Sequence, residues 1–273
     1  MQYAQFKHLK VSRFILGSNP FSGFSHQSPE MDWAMRHYFT TARIKETLRE
    51  AESLDVNTLI ARTDFHVMRM LLEYRDEGGT LQWFAQTCPE VGSHEVCIQR
   101  ASDYGAKACH IHGGVMDHLF AQGMLDEVPP AIDLIHEKGM LAGIAAHNHR
   151  VIAWAEEHLE VDYYLCCYYN PSHRDERAEH VPGVSEYYRE EDRRAMTDLI
   201  QGLSKPVVHY KIMAAGRNDP SAAFAFAASK MRLNDAICVG VYQKDCPGIL
   251  RQDVRLLEES LVAFASGMED AGI

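Results

Sequence analysis

Four short segments concentrate side chains that could move a proton, hold a metal or meet an anion. The run Ala106-Lys107-Ala108-Cys109-His110-Ile111-His112-Gly113-Gly114 carries two histidines two residues apart. In an extended strand residues i and i+2 share a face, so His110 and His112 are expected to point the same way. The same pairing recurs at His147 and His149 if the strand before them extends that far, and at His209 and Lys211. Arg62 and Asp64 form a fourth pair. Histidine near its ordinary pKa can act as general acid or base. A His-x-His pair can also present two imidazoles to one divalent ion, zinc or manganese. The expected ligands are His110, His112, His147 and His209, with Asp64 as a further candidate. Lys211 has three readings: a charged substrate contact, a Schiff-base amine if desolvated, or part of an anion site. His112, His147, Asp64 and Lys211 are the candidate catalytic set.

Positioning these groups requires strands, and eight β-like runs are present. They cover residues 13–17, 58–61, 81–85, 106–111, 141–146, 162–167, 207–211 and 237–241. Helical patterns follow most of them. Ile44, Leu48 and Ala51 share one helix face. Pro129 and Pro130 open a helix that Gly139 ends, and Asp219-Pro220 is a cap followed by a first-turn proline. Leu250, Val254, Leu257 and Leu261 form the inner stripe of the last helix. Strands alternating with helices imply a parallel sheet. Eight such units predict an α/β fold, a (β/α)8 TIM barrel forming one domain over 1–273.

That architecture gives the polar residues their meaning. A barrel interior normally takes Val, Ile and Leu, and active sites lie at the C-terminal ends of the strands. Polar groups converging there from four strands would cost several kcal/mol to bury without a ligand or mutual pairing. Two long connections, 19–38 and 171–190, lie on the same side and are candidate lids. The segment Ala214-Ala215-Gly216-Arg217, with Gly240, lies where barrels commonly hold a phosphate. Cys166 and Cys167 are adjacent, so they face opposite sides and are expected to pack.

The net charge of -11 argues against a nucleic-acid groove or an anionic membrane partner. No stretch approaches the length of apolar chain that spans a bilayer. The first ten residues lack a signal-peptide pattern. The seven cysteines are scattered, with no CxxC pair, which suits neither a zinc ribbon nor a disulfide framework. A cytoplasmic protein acting on a small-molecule substrate is expected.

Several segments together resemble the aldo-keto reductases. Val11-Ser12-Arg13-Phe14-Ile15-Leu16-Gly17 is similar to that family's first strand, and Asp55-Val56-Asn57-Thr58-Leu59 to the entry of its second. His110-Ile111-His112-Gly113 and Gly143-Ile144-Ala145-Ala146-His147-Asn148 resemble its fourth and fifth. Residues 162–170 resemble the sixth. Lys211-Ile212-Met213-Ala214-Ala215-Gly216-Arg217 and Val239-Gly240-Val241 resemble its nucleotide-side strands. The resemblance implies a catalytic Asp, Tyr, Lys and His with NAD(P)H as hydride donor. Here Ile60 stands at the Asp position, Phe65 at the Tyr position, and Gln86 or Thr87 at the Lys position. His112 alone is kept. Arg62, Asn170, Gly216 and Arg217 are the candidate substrate or phosphate contacts. The reading is a divergent aldo-keto reductase-like barrel using its histidines for proton transfer, of lyase, isomerase or hydrolase type, on a small polar carbonyl or sugar-like substrate. The alternatives are an NAD(P)H-dependent oxidoreductase with an altered proton donor, and a non-catalytic ligand-binding barrel.

Overall fold

The computed structural model describes residues 1–172, 177–178 and 186–270, with side chains described through 267. Eight parallel strands close into a barrel: β3 (Phe14–Gly17), β4 (Thr58–Arg62), β5 (Gln82–Gln86), β6 (Ala108–Ile111), β7 (Leu141–Ala146), β8 (Tyr163–Cys167), β9 (Val207–Tyr210) and β10 (Ala236–Val239), which returns to β3. Closure leaves no free sheet edge. The expected eight-stranded parallel α/β barrel is therefore the observed fold.

The strands bury both faces. Their inward residues form a core that includes Ile15, Ile60, Phe84, Ala108, Tyr163, Leu165 and Val208. Their outward residues join a larger core beneath the helices. The helices are α1 (Pro29–Tyr38), α2 (Thr41–Ser53), α3 (Phe65–Asp76), α4 (His94–Asp103), α5 (Gly113–Gln122), α6 (Val128–Glu137), α7 (His149–His158), α8 (Glu190–Ile200), α9 (Pro220–Lys230) and α10 (Ile249–Asp270). Side-chain caps fix several starts: Thr40 accepts from Arg43 N, Asp64 from Val67 N, and Asp219 from Ala222 N. The stripe Leu250, Val254, Leu257 and Leu261 is buried. No helix among the described residues is long and apolar enough to cross a membrane.

Two features depart from the expectation. A hairpin of β1 (Tyr3–Phe6) and β2 (Leu9–Ser12) precedes the barrel and closes its base. Phe6, fully buried, meets Phe84 at 6.1 Å and Tyr163 at 5.8 Å between ring centroids. The connection over 19–38 also folds, as a 3-10 turn at Asn19–Ser22 followed by α1, which Ser28 caps. Much of the connection over 171–190 lies outside the described residues.

Because Phe6 fills the barrel base, Phe6→Ala should cost about 3–5 kcal/mol of stability. Urea denaturation of the two proteins measures it.

Candidate functional site

The strands end together, and their last inward side chains meet at one mouth. A small pocket of about 50 Å³ there is lined by Arg62, Gln86, His112, His147, Tyr210 and Lys211, among others. It opens onto a cavity of about 520 Å³ that runs past the ends of β9, β10 and β3. Its far wall is built by α1, through Met31 and Met35, and by the first turns of α10.

His147 and Asp117 form a buried pair at this mouth. The His147 Nδ1 lies 2.7 Å from Asp117 Oδ2, with both side chains nearly buried. Asp117 also accepts the backbone N–H groups of His147, at 3.1 and 3.2 Å, and of Asn148, at 3.1 Å. A carboxylate bound to Nδ1 fixes the orientation of the ring, the arrangement of a general acid–base histidine. Asp117 sits on α5 among Val115, Met116 and Leu119, all buried. A lone acid in an apolar helix face was the available sequence signal, and it was missed.

His112 stands at the N-cap position of α5, and its N–H donates to Thr87 Oγ1 at 3.0 Å. Gly113 follows, and its lack of a side chain matters. A Cβ there would lie 3.0 Å from Tyr210 Oη and 3.2 Å from His147 Cε1. The glycine lets these two groups approach the start of the helix, whose positive dipole end faces the same region.

Lys211 reaches the mouth by a route that strand parity does not give. Val208 and Tyr210 pack with the inward core, so His209 must face the helices. Lys211 has φ of +56°, which ends the strand and turns its side chain into the cavity wall. The expected sharing of one face by His209 and Lys211 is thus overturned. Tyr210, which faces inward beside Lys211, was also missed. Beside Lys211 stands Glu186, 2.8 Å from His26 Nδ1 and accepting from Tyr188 Oη at 2.6 Å. Burial works against the Glu186 charge, but His26, Lys211 and Tyr188 outweigh it and hold its carboxyl well below the usual carboxylate range.

Arg62 lines the mouth, with Nη2 2.8 Å from Glu90, Nε 3.1 Å from Asp64, and its guanidinium over the Phe24 ring. Asp64 therefore orients Arg62 and caps α3, and it lies outside the cavity lining. Asn170 donates its N–H to Asp192 and is likewise away from the lining. Arg217 donates to Ala214 O and His26 O and stacks on Tyr188, so it ties two rim loops together and does not line the cavity. Gly216, with φ of +82°, does line it.

Among the described residues the four expected histidine ligands do not come together. His209 points away from the mouth, with Nδ1 3.0 Å from Tyr168 Oη and Nε2 3.3 Å from Asp235. His110 lies deeper in the barrel, fully buried, with Nδ1 3.1 Å from Tyr163 Oη and Nε2 without a partner among the described residues. β7 ends at Ala146, so His149 belongs to α7 and the second His-x-His face is lost. Among the described residues no three His, Cys, Asp or Glu side chains gather as a metal site. Two of the buried cysteines are held as thiols. Burial pushes the Cys88 thiol up to about 11 and the Cys167 thiol up to about 12.

The tetrad positions fall as follows. Ile60 and Gln86 line the cavity. Thr87 bonds the His112 backbone, and Phe65 is 68% exposed under Arg100, away from the mouth.

Solved structures share this fold. The chain matches the "putative aldo-keto reductase" of Pseudomonas aeruginosa over 96% of its own length and 94% of that chain, at 16% identity and a TM-score of 0.65. It matches the holo form of an aldo-keto reductase from Bacillus halodurans over 97% and 96%, at 13% identity and a TM-score of 0.56. A truncated 3-deoxy-D-arabino-heptulosonate 7-phosphate synthase from Thermotoga maritima matches over 100% and 94%, at 12% identity and 0.56. No protein-family model and no curated protein matches the sequence. The fold is that of a divergent, aldo-keto reductase-like TIM barrel.

Burial lowers the His110 pKa from 6.5 to about 3. Below about pH 6.5 the unfolded chain takes up a proton that the folded chain refuses until about pH 3, so stability falls with pH across that window. His110→Leu should flatten this loss, as urea denaturation at about pH 7 and about pH 4 would reveal.

Proposed function

We propose that the chain is an enzyme in which His147, oriented by Asp117, transfers a proton to or from a small polar carbonyl or sugar-like substrate. The observation that carries this reading is the 2.7 Å contact between His147 Nδ1 and Asp117 at the barrel mouth. The Nδ1 bond leaves Nε2 as the atom that exchanges protons with substrate. Lys211 and Arg62 supply positive charge where a carbonyl oxygen would gain negative charge. His112 and Tyr210 flank the same small pocket and could hold the substrate or carry a second proton. Such an arrangement suits lyase, isomerase or hydrolase chemistry.

A second reading is an NAD(P)H-dependent oxidoreductase. It is favoured by the cavity of about 520 Å³ leading from the mouth across β9, β10 and β3, in a fold shared with aldo-keto reductases. A nicotinamide nucleotide bound there would supply hydride. The proton would have to come from His112, His147 or Tyr210, since Phe65 has none to give.

His147→Ala and Lys211→Met are expected to lower turnover at least about 100-fold, the range set by loss of a general acid–base group or a charge-stabilising contact. The melting temperature of Lys211→Met should stay near that of the parent, while His147→Ala, which takes a partner from the buried Asp117, should also lose about 1–3 kcal/mol of stability. A screen of hydroxycarbonyl and sugar substrates, followed by proton exchange in heavy water, measures this. Near-parent turnover in His147→Ala would overturn the proton-transfer reading. NADPH with simple aldehydes should give weak or no turnover, and steady oxidation of NADPH would promote the second reading.

A further inference from the structure

Two residues that line the large cavity carry a buried polar atom with no hydrogen-bond partner among the described residues. Asp253, on α10, is 3% exposed, and its Oδ2 has no hydrogen-bond partner among the described residues. Tyr242, on the segment after β10, has its hydroxyl buried and equally without a partner. Both residues line the same cavity. Orphaned buried polar atoms are rare in folded proteins, and two around one cavity point to a ligand that satisfies them. Tyr242 is held in place by an edge contact with the Tyr38 ring at 5.4 Å and a tilted contact with the Phe39 ring at 6.0 Å. Its hydroxyl is therefore positioned by packing alone.

The two groups are complementary. The Asp253 carboxyl accepts hydrogen bonds, while the Tyr242 phenol can donate one. A sugar hydroxyl does both. Around them stand Met35, Ile249 and Leu256, an apolar wall suited to the C–H face of a sugar ring. The charge distribution narrows the class further. The cationic lining residues Arg62 and Lys211, with His26, all belong also to the small pocket at the mouth. The far end offers a phosphate no Lys or Arg. Burial raises the Asp253 carboxyl to about 7, as an unpaired acid in an apolar wall requires.

We infer that the far end of this cavity, through Asp253 and Tyr242, is a binding subsite for an uncharged sugar ring of a glycoside-like ligand. The ligand's other end reaches the mouth beside Lys211. This inference rests on the proposed function only for the direction in which the ligand extends.

The test uses the full chain and reads binding, so its outcome is separate from any failure to find turnover. Cellobiose, maltose and lactose are titrated by calorimetry, with NAD+ and NADP+ as phosphate-bearing controls. At least one disaccharide should bind, and Asp253→Leu should weaken it about ten-fold or more through loss of a charged or polar contact. Tyr242→Phe should weaken it less. Asp253→Leu should melt no lower than the parent, because it removes an unsatisfied buried carboxyl. If that variant fails to fold, Asp253→Asn keeps the shape and should still weaken binding. The inference is overturned if no disaccharide binds, if the Asp253 variants bind as well as the parent, or if only the two nucleotides bind in an Asp253-dependent way.

Discussion

The buried Asp117 carboxylate is the contact on which the mouth of this barrel depends. It accepts from the His147 ring and from two successive backbone N–H groups just past the end of β7. A carboxylate this deep is tolerable only when its oxygens are filled, and here the chain that must turn from β7 into α7 fills them. One side chain therefore joins α5 to the end of β7, satisfies a strand terminus and aims an imidazole. The open backbone of Gly113 leaves the space into which that imidazole fits.

The same economy governs the rest of the rim. Arg62 is held between Asp64 and Glu90, and Glu186 is held by His26 and Tyr188 near Lys211. Each charge that faces the mouth has a partner of opposite sign or a hydroxyl beside it. Positive groups crowd the reaction end of the cavity, while its far wall of α1 and α10 is apolar except for Asp253 and neighbouring polar atoms.

The barrel was legible in the sequence because parity and punctuation act locally. Strand runs such as Leu141–Ala146 needed only their apolar composition and flanking turns. The opening hairpin carried a readable alternation over Tyr3–Phe6 and Leu9–Ser12, yet its turn contains Lys7 at φ +49° in place of a glycine, so the usual turn signal was lacking. The site was less legible. His110, His112 and His147 lie on the inward faces of their strands or just beyond, as alternation requires. His209 does not, because alternation fixes which residues share a face but not which face is inward. Lys211 was placed in the site for a reason that failed, since a left-handed residue resets parity and no periodicity reports it. Asp117 escaped because its role is tertiary: nothing near it in sequence announces the β7 terminus it serves.

Left-handed backbone is concentrated at this rim. His26, Lys211, Ala214 and Ala215 all have positive φ without being glycine. Each such residue holds its shape only because neighbours oblige it, at about 1–3 kcal/mol apiece. The barrel wall beneath is secured by a closed ladder of backbone hydrogen bonds and carries no comparable tension. The two layers should therefore part company on warming. The rim loops would relax while the eight strands remain closed, so heat would extinguish the protein's capacity to act at a temperature where it still looks folded by its far-ultraviolet signal.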